Sequence, residues 1–242
     1  WGNGDGSFAY RNRPISGTDY TPFVGDLDDN GWDDAVFFRA STGDANILYG
    51  GPNGFFDSQS VSLVSSSGFT VLVGEFDDDE GDDLYLYKAG SSGETIYWSD
   101  GTNDVSGWDT TTTNISGTYS AVVGNFDGLY GDDIYWYRVS DGHIAKYHSN
   151  GTRTFAPSTT ETISNGPFVP IPGDFQDDGY DDIFWYKAGT GNQCVVWYHR
   201  PSLSRLVESE HVGGIYEATL SGDFDGDGDD DIYWENAGHD KD

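Results

Sequence analysis

The sequence predicts an all-β fold, a five-bladed β-propeller built from four-stranded antiparallel blades. First, an acidic, glycine-containing loop recurs at intervals of 49 or 50 residues, and such a constant period is typical of repeat architectures. Second, short runs of β-branched and aromatic residues flank each loop, and these residues favour strands. Third, no window has the periodicity of an amphipathic helix. The five loops follow Gly25, Gly74, Gly124, Gly173 and Gly222.

Each repeat is predicted to contain four strands, and the acidic loop joins the first two. The predicted second strands are 35–38, 84–87, 134–137, 183–186 and 232–234, and the third strands of the first four repeats are 47–49, 96–98, 144–147 and 195–197. A more polar fourth strand is expected after a turn, near Gly54 to Phe56 and Ser202 to Val207. A lone four-stranded sheet cannot bury both faces, whereas radial stacking of such sheets in a propeller does.

The two ends of the chain predict how the propeller closes. The fifth repeat stops at Asp242, just after its second strand, and Trp1 lies 24 residues before Gly25, where other repeats have an aromatic third-strand residue. Residues Trp1 to Tyr10 are therefore expected to complete the fifth blade by pairing with the C-terminal segment. Residues 1–242 would then form a single domain without a free sheet edge. The alternative is a piece of a larger propeller.

The loop after Gly222 has the ligand spacing of a calcium site. Acidic residues occupy positions 1, 3, 5 and 9 after the glycine, and Gly228 stands at position 6, where the chain must turn sharply. Ca²⁺ takes six to eight oxygen ligands, and carboxylates crowded into one turn repel one another without a cation. Calcium is therefore the expected cofactor, and the alternative is a solvated acidic turn. The predicted ligands are Asp26, Asp28, Asn30, Asp34, Glu75, Asp77, Asp79, Asp83, Asn125, Asp127, Asp133, Asp174, Gln176, Asp178, Asp182, Asp223, Asp225, Asp227 and Asp231.

The five loops do not offer equal ligand sets. The first and fifth have nearly complete or complete sets and are expected to bind calcium. In the fourth, Gln176 replaces an acid, which should lower the affinity. In the second, Glu80 stands where the turn favours glycine, so backbone strain is expected. The third has Leu129 at position 5 and Tyr130 at position 6, and it is the loop expected to remain empty.

The run Gly-Asp-Phe-Asp-Gly-Asp-Gly-Asp-Asp-Asp-Ile, which starts at Gly222, resembles the FG-GAP/VCBS repeat. The resemblance extends over essentially the whole chain in five in-phase copies. It implies a calcium-binding propeller similar to those of integrin α-subunits, of fungal-type calcium-binding lectins and of modules attached to polysaccharide-degrading enzymes. Because these proteins differ in function, the resemblance specifies the fold better than the function.

Composition limits the possible partners and the compartment. The formal net charge is −31, with 11 Lys and Arg against 42 Asp and Glu, so the clustered basic residues that nucleic acids or anionic membranes require are missing. No apolar run approaches the length needed for membrane insertion. The chain starts at Trp1, has no Met and has one Cys, which we interpret as a processed, secreted product. Weak calcium loops suit this extracellular location. The sequence does not indicate an oligomeric state.

Two further repeated positions are candidate ligand sites. The second strand ends in a basic residue in four repeats, namely Arg39, Lys88, Arg138 and Lys187, with Asn236 in the fifth. These residues could anchor a hydroxyl-rich or acidic ligand, or only balance neighbouring acids. The third strand carries a recurring aromatic residue, namely Trp1, Tyr49, Trp98, Tyr147 and Trp197. Such rings could stack on sugars, with polar neighbours such as Asp100 and Asn150, or pack between blades.

These features favour three functions in decreasing order. The first is multivalent, lectin-like binding of glycans. The second is recognition of an extracellular protein by an adhesion or accessory module. The third is a polysaccharide-active enzyme, which is least favoured because the sequence has no nucleophile elbow, zinc-protease motif or phosphate loop. Its carboxylate pairs are also committed to the calcium loops. A binding module is therefore expected rather than an enzyme.

Overall fold

A computed structural model describes most of the chain. The described residues are 15, 18–52, 54, 57–79, 81–156, 159–189, 194–198, 206–212, 215–216 and 218–235. Contacts divide the chain into two compact units, each made of two segments. The first unit is Trp1–Glu75 with Asp79–Gly117, and the second is Phe76–Asp78 with Thr118–Asp242.

The first unit contains two four-stranded antiparallel sheets. The first sheet has the order β1 (Thr21–Gly25), β2 (Asp34–Arg39), β3 (Asp44–Tyr49) and β4 (Asp57–Ser62). The second has the order β5 (Thr70–Gly74), β6 (Asp83–Tyr87), β7 (Glu94–Trp98) and β8 (Asp109–Thr113). One short 3₁₀ turn, Val105–Gly107, precedes β8. Since strands that follow one another in sequence are also neighbours in the sheet, each sheet is a meander.

The second unit contains two further meanders and a hairpin. The third sheet consists of β9 (Ser120–Gly124), β10 (Asp133–Arg138), β11 (His143–Ser149) and β12 (Phe155–Ala156), and β13 (Thr160–Thr162) also pairs with β11. The fourth has the order β14 (Val169–Gly173), β15 (Asp182–Tyr186), β16 (Cys194–Tyr198) and β17 (Leu206–Glu210). The hairpin is β18 (Ala218–Gly222) with β19 (Asp231–Glu235).

The fold is therefore all-β, with four antiparallel sheets of the kind that form the blades of a β-propeller. The predicted fifth four-stranded blade is not shown, because the fifth repeat contributes only the β18–β19 hairpin within the described residues. The segment predicted to complete it, Trp1 to Tyr10, lies outside the described residues. None of the described helical residues forms a helix long and apolar enough to cross a bilayer.

The second and third strands lie where the sequence analysis placed them. The fourth strands of the first and fourth repeats are β4 (Asp57–Ser62) and β17 (Leu206–Glu210). Of the predicted fourth strands, Gly54 to Phe56 and Ser202 to Val207, residues 55–56 and 202–205 lie outside the described residues. Strand β4 is polar because it is an outer strand with mostly exposed side chains.

The core of the first unit lies between its two sheets. Val36 and Ile47 of the first sheet belong to one apolar cluster with Leu84 and Leu86 of the second, and all four are completely buried. Strand β6 is buried at every residue. A strand covered on both faces needs apolar residues at successive positions rather than at alternate ones, which explains the run Leu-Tyr-Leu-Tyr.

Aromatic residues connect the successive sheets of the second unit. The ring centroids of Tyr137 and Trp185 are 5.0 Å apart, and those of Phe184 and Trp234 are 5.8 Å apart. On the last hairpin, Tyr233 is 57 % exposed. The equivalent residues of the first four repeats are buried, and they are Val36, Tyr85, Tyr135 and Phe184.

Candidate metal loops and ligand positions

Each acidic loop connects the first and second strands of its repeat. Position 1 is the residue after the loop glycine, and position 9 is the aspartate that begins the second strand. The glycine pairs with this aspartate across the sheet in every repeat, as Gly25–Asp34, Gly74–Asp83, Gly124–Asp133, Gly173–Asp182 and Gly222–Asp231. The prediction that the motif joins two strands is therefore confirmed.

The residue at position 1 organises the turn. In the first loop, Asp26 accepts hydrogen bonds from the backbone N–H of Asn30 (3.1 Å) and Gly31 (2.7 Å). In the fourth loop, Asp174 accepts the equivalent bonds from Asp178 (3.2 Å) and Gly179 (2.8 Å). Because these donors come four and five residues later in the same loop, the hydrogen bonds to the position-1 carboxylate stabilise the turn of the backbone.

The aspartate at position 9 ties the loop to the third strand. Asp34 accepts hydrogen bonds from the backbone N–H of Leu27 (2.9 Å) and of Gly50 (2.6 Å), which follows β3. Burial raises the pKa of the Asp34 carboxyl to about 7, despite both hydrogen bonds. A bound divalent cation would favour the ionised form, since it would compensate for the lost hydration.

The aspartate at position 8 joins neighbouring sheets within each unit. Asp82 Oδ2 accepts a hydrogen bond from Asp26 N (2.8 Å), while Asp82 N donates to Asp26 O (2.8 Å). The same reciprocal pair joins Asp181 to Asn125 and Asp230 to Asp174. A Cβ on Gly25 would lie 2.5 Å from Asp82 Oδ2, so this contact requires glycine at the start of the loop. Sequence analysis missed this role, although the Asp-Asp pair in all five loops signalled it.

The predicted calcium ligands converge in the first and fifth loops. Carboxylate oxygens of Asp26, Asp28 and Asp34 lie within 4.8 Å of one another, as do those of Asp223, Asp225 and Asp231. The pKa of the Asp28 carboxyl is also raised, and burial is the main cause of this shift. The fourth predicted ligands fix the turns, because Asn30 Oδ1 accepts from Trp32 N (2.9 Å) and Asp227 Oδ1 from Asp229 N (3.1 Å).

The second and fourth loops have more complicated surroundings. The second is divided between the two units, and its predicted ligands are Glu75, Asp77, Asp79 and Asp83. Within the second unit, Asp77 Oδ2 is 2.7 Å from Arg153 Nε, so a guanidinium already balances a carboxylate expected to bind calcium. The strain predicted at Glu80 falls outside the described residues.

In the fourth loop, the predicted ligands have hydrogen bonds to backbone groups. Asp182 Oδ2 accepts from Phe175 N (3.3 Å), and Asp178 Oδ1 accepts from Tyr180 N (3.2 Å). Gln176 N donates to Asp174 Oδ1 (3.3 Å). The fourth loop therefore has the same hydrogen-bonded turn as the first. It differs in that Gln176 offers a neutral oxygen donor in place of a carboxylate.

The third loop has a different donor set from the others. Asp127 and Asp133 converge with His148, which follows Tyr147 on β11. Burial would lower the pKa of His148, but the hydrogen bond to Asp133 and the charges of Asp133 and Asp127 raise it. Tyr130 has a φ of +59°, so the turn holds a bulky residue in the left-handed region that the first, fourth and fifth loops fill with glycine.

The predicted aromatic ligand positions do not form one surface. Tyr49, Trp98 and Trp197 are at most 2 % exposed, so their ring faces are not accessible to a sugar in this structure. This burial is what the alternative, packing between blades, would produce. Trp98 Nε1 donates to Thr111 Oγ1 (2.8 Å) within its own sheet. Trp1 lies outside the described residues.

The strand register also separates these aromatic residues into two rows. Ile134 pairs with Tyr147 and Ile183 with Trp197, whereas the equivalent Leu84 pairs with Tyr97, the residue before Trp98. Since successive side chains of a strand point to opposite faces, Tyr147 and Trp197 do not share a face with Trp98. The residue at the position of Trp98 in the third repeat is His148.

The recurring basic residues are held by aromatic rings. The charged groups of Arg39, Lys88, Arg138 and Lys187 lie 4.4, 5.4, 5.7 and 5.9 Å from the ring centroids of Tyr20, Phe69, Tyr119 and Phe168. Each ring comes five residues before the loop glycine. Arg138 also forms an ion pair with Asp141 (2.8 Å). These cation–π pairs stabilise the first and second strands of the first four repeats.

Exposed aromatic rings occur instead on the acidic loops. Trp32 in the first loop is 49 % exposed and Tyr130 in the third is 58 % exposed. Trp32 directly follows the tight turn of its loop, and Tyr130 lies within the turn of its own. Each is therefore next to a cluster of carboxylates. Sequence analysis treated Tyr130 only as a departure from the loop pattern and did not consider Trp32, yet both provide exposed stacking surface beside several hydrogen-bonding groups.

Comparisons with known proteins find similar structures but no similar sequence or family model. No family model matches the chain, and no curated protein matches its sequence. The structure is similar to that of an Agrocybe aegerita lectin that specifically recognises non-reducing terminal N-acetylglucosamine, with a TM-score of 0.66 and 17 % sequence identity. The alignment covers 89 % of this chain and 60 % of the lectin chain. At this identity the likeness shows the fold alone.

Proposed function

We propose that this chain is a secreted, calcium-stabilised β-propeller that binds glycans as a lectin-like module. In this proposal the repeats are of the FG-GAP/VCBS type, and Trp1 to Tyr10 complete a fifth blade. The single observation that carries the proposal is the likeness over 89 % of the chain to a lectin that recognises terminal N-acetylglucosamine. The whole lectin is longer than the matched region, so shared ligand chemistry is part of the proposal.

The exposed rings on the loops are the proposed stacking residues. Trp32 and Tyr130 offer flat apolar faces of the kind that bind sugar rings. The loop carboxylates and backbone groups beside them would accept or donate hydrogen bonds to sugar hydroxyls. Calcium would act mainly by stabilising the conformation of the loops. Several sites on one chain would increase the avidity for glycan-covered surfaces through multivalency.

A glycan array tests this function, with the chain probed in calcium and in chelator. We expect binding to glycans that end in N-acetylglucosamine, and weaker binding in chelator. Trp32→Ala should reduce binding at least tenfold with an unchanged melting curve. Tyr130→Asn should do the same at the third loop, since Asn tolerates a positive φ.

Val139→Ala is the matched control, because Val139 is also exposed (47 %) but lies outside the loops. Its binding should equal that of the unmodified chain. A natively folded protein that binds no glycan in calcium would refute the proposal. Equal binding by the Trp32, Tyr130 and Val139 variants would refute the assigned stacking residues.

One observation favours a second candidate, a protein-binding or accessory module. Leu220, Phe224 and Tyr233 on the last hairpin are 62, 60 and 57 % exposed, and contiguous apolar surface of this kind commonly contacts protein. A protein segment could cover it. This candidate would be favoured if the chain binds no glycan on the array and yet has a native, calcium-dependent melting curve.

A further inference from the structure

The third loop and the strand β11 bring two carboxylates and an imidazole together. His148 Nδ1 lies 3.1 Å from Asp133 Oδ2 and 3.3 Å from Asp127 Oδ2. The Asp133 side chain is completely buried, and those of Asp127 and His148 are 9 and 20 % exposed. All three potential ligand atoms lie within 4.8 Å of one another.

We propose that Asp127, Asp133 and His148 form a site for a divalent transition-metal ion such as Zn²⁺. This site would differ from the calcium loops in its ligand chemistry, and it does not depend on glycan binding. Imidazole is a good ligand for zinc and related metals, whereas Ca²⁺ is bound in proteins by oxygen.

The number of donors also favours a small ion. Ca²⁺ needs six to eight oxygen ligands, but Leu129 occupies the position that supplies a fourth oxygen in the first and fifth loops. Asn125 Oδ1 accepts a hydrogen bond from Gly128 N (2.8 Å) and so takes part in the turn. Zinc is satisfied by three protein ligands and one water, which is what the cluster can provide.

The observed distances fit the coordination geometry. Ligand atoms about 2.1 Å from a tetrahedral zinc ion are about 3.4 Å from one another. The distances from His148 Nδ1 to the two carboxylate oxygens, 3.1 and 3.3 Å, are close to this value. A metal ion could therefore replace the proton between His148 and Asp133 with small movements of the side chains.

Backbone groups orient both carboxylates before any ion binds. Leu129 N donates to Asp127 Oδ1 (2.9 Å), and Ser149 N donates to Asp133 Oδ1 (2.9 Å). Each carboxylate thus directs its other oxygen, Oδ2, towards His148. Such hydrogen bonds to metal ligands commonly fix the ligand geometry and raise affinity.

Metal titration in millimolar calcium and magnesium tests the proposal. The probe is Co²⁺, whose visible absorption reports nitrogen and oxygen ligation, followed by competition with Zn²⁺. We expect one tight site for each chain that calcium does not displace. His148→Asn should weaken it at least tenfold, while His143→Asn, a change of another histidine on the same strand, should leave it unchanged.

Controls separate loss of the ligand from loss of the fold. Asn can place its amide near the position of Nδ1, so His148→Asn can retain the hydrogen bond to Asp133 and its metal-free melting curve should be close to native. Asp127→Asn is a second variant with the same expected loss of metal. The proposal is overturned if calcium displaces cobalt, if no tight site exists, or if His148→Asn binds as tightly as His143→Asn. In each of these cases His148 would neutralise the carboxylates only as a side-chain cation.

Discussion

The first and third loops have the same backbone frame but different donors. In both, the aspartate at position 9 accepts N–H bonds from position 2 and from a residue at or directly after the end of the third strand. These donors are Leu27 and Gly50 for Asp34. Phe126 and Ser149 provide the same donors for Asp133. The first loop adds oxygen donors, whereas the third adds an imidazole. The comparison teaches that one hydrogen-bonded frame can carry different sets of donor atoms, and we therefore expect the two loops to select different cations.

The largest effect should come from removing the shared frame. Asp34→Ala leaves two buried N–H groups without their acceptor, at a cost of about 1–3 kcal/mol for each group. Asp133→Ala leaves one, Ser149 N, because Phe126 N also donates to Gly124 O (3.0 Å). We therefore expect the free energy of unfolding, measured by denaturant titration in calcium, to fall by about 2–6 kcal/mol in Asp34→Ala and by about 1–3 kcal/mol in Asp133→Ala. Asp29→Asn, at an exposed position with a φ of +49°, should change it by less than about 0.5 kcal/mol. An unchanged free energy of unfolding in Asp34→Ala would contradict the role of Asp34 in connecting the loop to the third strand.

Calcium should stabilise through the first loop but not through the third. A ligand at one hundred times its Kd stabilises the native state by about 2.7 kcal/mol for one site. Chelator should therefore lower the melting temperature, and Asp28→Asn should reduce this calcium-dependent shift. Asp127→Asn should leave the shift unchanged, since that loop has Leu129 in place of the oxygen donor at position 5. Equal losses in both variants would mean that the two loops bind the same ion.

The smallest effect on stability is expected from converting the third loop towards the first. Leu129 is 54 % exposed, so Leu129→Asp should change the free energy of unfolding in chelator by less than about 0.5 kcal/mol. The new carboxylate stands at position 5 and should add one calcium ion to the count obtained by native mass spectrometry. Leu129→Asn adds a neutral oxygen and serves as the control with weaker binding. An unchanged calcium count in Leu129→Asp would show that the frame, and not the donor set, excludes calcium.

Much of the fold could be predicted because the repeat imposes local rules that the sequence displays. Glycine and aspartate at fixed positions mark the ends of each loop, and continuous apolar runs mark strands such as β6, which is buried on both faces. The outer strand β4 has mostly exposed side chains, so no such run marks it. The repeated Asp-Asp pair signals that position 8 has a role, but the partner of Asp82 is Asp26, 56 residues away, and the local sequence does not identify that partner.

The candidate ligand positions were harder to predict because they depend on strand register. The β15–β16 hairpin contains one residue more than its equivalents, since Ile183 pairs with Trp197 where Ile134 pairs with Tyr147. Trp98 and Trp197 both lie 24 residues after their loop glycines, but the extra residue places them on opposite faces. Tyr147 lies 23 residues after Gly124, so choosing the aromatic residue concealed that His148, 24 residues after Gly124, occupies the place of Trp98.

Anomalous diffraction from crystals grown with calcium and zinc tests the central claim most directly, because it locates each metal by element. Data at the zinc absorption edge should place a zinc peak about 2.1 Å from His148 Nδ1, between Asp127 and Asp133. Long-wavelength data should place calcium among Asp26, Asp28 and Asp34. Calcium between Asp127 and Asp133, with His148 turned away, would contradict the separation of the loop frame from the choice of cation.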